Sequence, residues 1–156
     1  MAHLGILRAN SPHPSNINDT SYYTLSDPRS HLSVAFLDPR IHFVLSCGAS
    51  SCPPIKILTE ENIDEALELA SESYLSNEVI YDASKHSFRL PKLLLWYGKD
   101  FIRRSLNDDE ANFILLKQIY QLMNKEQELN EILRDNKNIS IAFNDYNWNP
   151  NGFLKD

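Results

Sequence analysis

Residues 79–98, VIYDASKHSFRLPKLLLWYG, decide the fold class. Two β-favouring runs, Val79-Ile80-Tyr81 and His86-Ser87-Phe88-Arg89-Leu90, flank Asp82-Ala83-Ser84-Lys85, a polar connection of hairpin length. Pro91 follows where a helix can begin, because its fixed φ suits the first helical position and its missing N–H is no loss there. Leu93, Leu94, Leu95, Trp96 and Tyr97 are apolar nearly all round, which predicts a short buried helix that Gly98 ends.

Upstream, residues 60–76 predict the clearest helix. Thr59 is a good N-cap, Glu60 and Glu61 suit the positive end of the helix dipole, and Ile63, Ala66, Leu67, Ala70 and Tyr74 share one face, with Asn77 closing the element. Downstream, Asn107 or Asp108 can cap a helix whose Phe113, Leu116, Ile119, Tyr120 and Met123 form a buried stripe, with a break near Asn124. A third helical stretch covers about 126–134, and Asn138–Phe143 alternates as a strand does. Residues 145–150 are turn-like and aromatic. These elements predict one α+β domain over 1–156, a small mixed or antiparallel sheet packed against several helices.

At 156 residues the chain is about one domain, long enough to bury roughly two-thirds of its unfolded surface. A hydrophobic fraction of 42% and a charged fraction of 23% are those of an ordinary globular protein. The net charge of −6, with scattered Lys and Arg, argues against a nucleic-acid partner, since phosphate binding needs clustered cations. No apolar run approaches the roughly 18 residues of a membrane span, and no basic-then-apolar leader opens the chain, so a cytoplasmic location is expected. The start, MAHLGILR, is apolar and uncapped, which predicts a chain beginning inside an element, as a fragment does. Residues 10–31 are rich in Ser, Asn, Pro and Asp and read as a long surface loop of the kind that covers or lines a site.

The chemistry concentrates in residues 38–54, DPRIHFVLSCGASSCPP. Asp38-Pro39-Arg40 makes a turn, and Ile41–Ser46 reads as a mostly buried strand leading into Cys47. A nucleophilic cysteine needs its thiolate, hence a nearby base, cation or helix N-terminus. Gly48-Ala49-Ser50-Ser51 would let a substrate approach closely, and its successive N–H groups can cradle an anion. His42 is the nearest base in sequence, although in a regular strand positions 42 and 47 face opposite sides. Cys47 can equally be a small packed hydrophobe, or one half of an attacking and resolving pair with Cys52. No second cluster with zinc-like spacing accompanies the two cysteines, so neither a metal nor a cofactor is expected.

GILRAN at 5–10, DPRIHFVLSCGASSCPPI at 38–55, LTEENIDEALELA at 58–70, LPKLLLWYGKDF at 90–101 and YNWNPN at 146–151 together resemble the family called domain of unknown function 547. The resemblance spans essentially the whole chain and looks like the C-terminal two-thirds of that family's domain, with an upstream helical segment missing. It carries over Asp38, Arg40, His42, Cys47, Gly48, Cys52, Pro53 and Pro54. Departures are Leu4 where the family usually has His, Ser46 where Asn is common, and Asn147 where Asp is common. The resemblance implies intracellular thiol or scaffolding contexts.

Two readings are open. In the first, Cys47 is the nucleophile and His42 the base of a thiol-dependent hydrolase or transferase, with Asp38, Arg40, Gly48 and Cys52 as binding residues and a peptide-like substrate. In the second, the segment is a packed turn of a domain that binds other proteins, or a redox accessory domain using Cys47 and Cys52.

Overall fold

The computed structural model describes residue 28 and residues 38–102, 109–135 and 139–152. The chain divides into two units, Met1–Pro39 and Arg40–Asp156, and the described elements belong almost entirely to the second. Among the described residues are four α-helices and a three-stranded mixed sheet, the α+β class that the sequence predicts. The loop expected at 10–31 and the caps expected at Asn107 or Asp108 lie outside the described residues.

β1 (Ile80–Asp82) and β2 (Ser87–Leu90) form the expected hairpin, with Ile80 opposite Arg89 and Tyr81 opposite Phe88. Its turn is held by the Asp82 carboxylate, which accepts the N–H groups of Ser84 and Lys85 at 3.0 and 3.3 Å and the Ser84 hydroxyl at 2.6 Å. Such local acceptance is why Asp favours turns. β2 occupies the sheet centre, and β3 (Ser140–Phe143) pairs with it in parallel. Phe88 and Leu90 are fully buried while Arg89 is exposed, the period-two pattern of a strand with one wet face.

α1 (Ile63–Glu78) starts later than Thr59 predicts. Residues 59–62 form a turn in which the Asn62 side chain accepts the Thr59 N–H at 2.8 Å, and the first helical bond runs from the Ala66 N–H to the Asn62 carbonyl. α2 (Lys92–Ile102) continues through Gly98 instead of ending there. Gly98 is buried within it, and α2 packs on α3 (Asp109–Leu122), so tertiary packing outweighs the modest helix-breaking cost of glycine. α3 ends where Asn124 adopts φ +55°, with the Lys125 N–H reaching back to the Tyr120 carbonyl and the Asn124 N–H to Gln121. That pair of bonds is a Schellman cap built on a left-handed asparagine. α4 (Glu126–Asp135) follows directly. The core gathers Phe88 and Leu90 from the sheet, Leu94 from α2, and Leu115, Leu116 and Ile119 from α3, all fully buried.

The strand expected over 41–46 is not one. Pro39–Phe43 is a 3-10 helix, extended by N–H groups of Val44 and Leu45 that both reach the Ile41 carbonyl at 3.2 Å. His42, Phe43 and Val44 are buried in succession. A short run buried on every side does not distinguish strand from helix by its periodicity, and Pro39 presets a helical φ at the first position. Without a strand, the alternation that would set positions 42 and 47 on opposite faces does not apply.

Candidate functional site

The segment after the 3-10 helix turns at Gly48, whose φ of +82° is the left-handed region that glycine enters without strain. The Cys52 N–H closes the turn on the Ala49 carbonyl at 2.9 Å. This loop is laced to residues 147–151: Ala49 bridges Pro150, the Ser50 N–H reaches the Asn149 carbonyl at 2.8 Å, and the Asn151 N–H reaches the Gly48 carbonyl at 2.7 Å. Side chains reinforce the lacing, the Ser50 hydroxyl donating to the Asn149 carbonyl and the Asn147 N–H to Ser51 Oγ. The turn-like tail is thus one wall of the cysteine loop.

Both cysteines are free thiols, Cys47 exposed and Cys52 half-buried. Their sulfurs meet one hydroxyl, that of Tyr146, at 3.5 Å from Cys47 and 3.0 Å from Cys52. The Cys47 N–H points at the Cys52 Sγ, 2.9 Å away. Burial works to raise the Cys52 thiol, but hydrogen bonds from the Cys47 side chain, the Tyr146 hydroxyl and the N–H groups of Cys47 and Ala49 outweigh it and hold Cys52 below the ordinary thiol value. Tyr146 moves the other way: burial and its bonds to the two sulfurs push its hydroxyl far above the usual phenol range. Donor bookkeeping then orders the site. A thiolate only accepts, so whenever Cys52 is ionised the Tyr146 hydroxyl donates to it.

The Tyr146 ring belongs to an aromatic cluster with Trp96 of α2 and Trp148, at centroid distances of 4.8 Å (Tyr146–Trp96), 4.5 Å (Tyr146–Trp148) and 5.6 Å (Trp96–Trp148). Trp148 remains 57% exposed.

His42 lies in different company. Its Nε2 is 2.8 Å from the Asp100 carboxylate, and the two side chains are 1% and 3% exposed. The ring stacks on Tyr97 at 4.3 Å and tilts against Phe101 at 6.0 Å. Tyr97, Asp100 and Phe101 share one face of α2, being three and four residues apart. Arg40 pairs with Asp64 of α1 at 2.6 Å, and Asp38 immediately precedes the 3-10 helix. The structure therefore brings Cys47, Gly48 and Cys52 together, while His42 and Arg40 each meet a carboxylate, Asp100 and Asp64. Among the described residues no group of three or more His, Cys, Asp and Glu is placed to hold a metal ion. No helix among them is long and apolar enough to cross a membrane.

The sequence model of the family described as Protein of unknown function, DUF547, matches residues 2–75. The chain resembles the DUF547 family. The DUF547 match includes His42, Cys47, Gly48 and Cys52 and stops within α1, so LPKLLLWYGKDF and YNWNPN lie beyond it, with Trp96, Asp100, Tyr146 and Trp148. No curated protein and no solved structure matches the chain.

Asp100 was hidden from sequence reasoning because the helix was expected to stop at Gly98. Its signal is the Tyr97, Asp100, Phe101 spacing, visible once that helix is allowed to continue. Tyr146 and Trp148 stand out as aromatic residues in a polar tail, but nothing in their spacing ties them to a loop about a hundred positions earlier.

Proposed function

We propose that this is a dithiol site for thiol–disulfide exchange, with Cys52 the attacking thiolate and Cys47 the resolving thiol. The observation that carries the reading is the shared Tyr146 hydroxyl, which touches both sulfurs at once. Low thiolate energy and access to solvent are the two requirements of an attacking cysteine, and Cys52 has the first from its hydrogen bonds and the second from its half-buried position. The Cys52 thiolate attacks one sulfur of a substrate disulfide, forming a mixed disulfide and expelling the other substrate sulfur as a thiolate. Cys47 then gives its proton to solvent and attacks the Cys52 sulfur, releasing the second substrate thiolate. The substrate has gained two electrons, and the pair has become a Cys47–Cys52 disulfide. A low-molecular-weight thiol returns the pair to its reduced form. Such a cycle suits a reducing compartment and so a cytoplasmic location.

Acyl transfer from Cys47 with His42 as base draws less support, because the His42 ring is almost wholly buried against Tyr97.

Equilibration of the protein across glutathione ratios, read by mass spectrometry after alkylation, tests the proposal. A Cys47–Cys52 disulfide should form at an intermediate ratio, and Cys47→Ser should accumulate a mixed disulfide on Cys52 that the unaltered protein resolves. Absence of the intramolecular disulfide at every ratio would refute it.

A further inference from the structure

Ile141 of β3 pairs in parallel with Phe88, so the two side chains share the sheet face that meets the core. Phe88 is fully buried, whereas Ile141 and Ile139, two residues earlier, are only half-buried. Both isoleucines line a cavity of about 420 Å³, together with Asn112 and Phe113 from the first turns of α3 and Leu133 from the last turn of α4. Native interiors leave few voids larger than a water molecule. A space this large, walled by four apolar side chains, has the size and lining of a small-molecule pocket.

Asn112 gives the pocket a direction. The Oδ1 atom of its side chain is buried, and among the described residues no N–H or O–H group donates to it. A buried acceptor left unpaired weakens a fold, and asparagine is a poorer helix former than leucine, so the residue destabilises the helix it stands in. A ligand that donates to Oδ1 would offset that loss. Charge, by contrast, does not choose the ligand. Asp109 and Glu110 line the pocket but are exposed, and Lys117 is exposed with its ammonium 4.8 Å from the centroid of the Phe113 ring. The charged side chains of α4 from Glu126 to Arg134 are exposed as well, and β3 carries none. Charges of both signs in open water are screened and favour neither sign, whereas apolar walls penalise any ion that gives up its hydration.

We infer that this pocket binds an uncharged, largely apolar small molecule carrying one O–H or N–H group. The donor meets Asn112 Oδ1, and the apolar body packs on Phe113, Leu133, Ile139 and Ile141. The site shares no residue with the cysteine loop, so it stands or falls apart from the exchange chemistry.

The test is calorimetric titration of the full chain at neutral pH with four probes substituted at the same ring position: naphthol, its methyl ether, naphthoate and naphthylmethylammonium. Naphthol should bind about tenfold more tightly than its ether, the discrimination that one hydrogen bond to an unpaired buried acceptor provides, and more tightly than either ion. In Asn112→Leu that preference should shrink to near one while the melting temperature holds or rises, because leucine leaves no buried acceptor behind. Leu133→Trp fills the space with Asn112 still in place, and should abolish binding of naphthol and ether alike in a protein that circular dichroism shows to be folded. Absence of saturable naphthol binding, a naphthol-to-ether ratio near one in the unaltered protein, or tighter binding of either ion would overturn the inference. So would a preference that survives Asn112→Leu, binding that survives Leu133→Trp, or a melting temperature lowered by Asn112→Leu, which would show that the amide serves the fold instead of a ligand.

Discussion

Replacing Tyr146 by Phe removes one hydroxyl and keeps the ring in its cluster with Trp96 and Trp148. The hydroxyl lies 3.0 Å from the Cys52 sulfur and favours its thiolate. A hydrogen bond to a charged group is worth about 1.5–3 kcal/mol, and a site open to water takes the lower end. At 1.36 kcal/mol per pH unit, losing about 1.5 kcal/mol cuts the thiolate fraction at low pH about tenfold. The thiolate that remains is more basic and so more nucleophilic, by about threefold for a Brønsted coefficient near 0.4–0.5. The two effects oppose each other below the titration and only the second acts above it. Exchange with a neutral probe, dipyridyl disulfide, should therefore slow about threefold at low pH and speed up about threefold at high pH. Performing the comparison in a Cys47→Ser background leaves one sulfur to report. The two rate profiles must cross. Parallel profiles, or a Tyr146→Phe variant that is faster at low pH, would show that the hydroxyl does not donate to the thiolate.

His42→Phe should keep the stack on Tyr97 but strip a carboxylate that is 3% exposed of its imidazole partner. A buried hydrogen bond to a carboxylate is worth about 1.5–3 kcal/mol, so His42→Phe should lower stability by about that much in urea unfolding. An unchanged unfolding free energy would show that this hydrogen bond does not hold the 3-10 helix to α2. Burial, with the negative charge of Glu128, pushes Tyr120 from 10.0 up to about 12. A phenol raised in the folded state contributes stability that is intact below the unfolded value and lost as pH rises through the folded one. Unfolding free energy should fall between pH 10 and 12, and less steeply in Tyr120→Phe, as measured by denaturant titration at each pH.

The hairpin, its four-residue connection and the helix after Pro91 were legible because each carries its own local signal: alternation at Phe88 and Leu90, an aspartate in the turn, a proline at a helix start. The 3-10 helix was misread because burial on all sides erases periodicity, and the limit at Gly98 was misread because propensity yields to packing. The two cysteines stood out by composition, but their ranking did not. Cys47 follows the apolar run and drew the nucleophile's role, whereas the hydrogen bonds that favour a thiolate converge on Cys52. Those bonds come from backbone turns and from Tyr146, and long-range pairing of this kind leaves no trace in the spacing of a single sequence.

The lacing of the cysteine loop to residues 147–151 also sets an order of events. Cys47 and Tyr146 are separated by 99 positions, so the contact that distinguishes these thiols from any others can close only after almost all the described chain has been synthesised and folded between them. Until then Cys47 and Cys52 are ordinary thiols on a nascent polypeptide. Enhanced reactivity at Cys52 would consequently report completed folding, and a chain cut short before Tyr146 would carry both cysteines with only the reactivity of ordinary thiols.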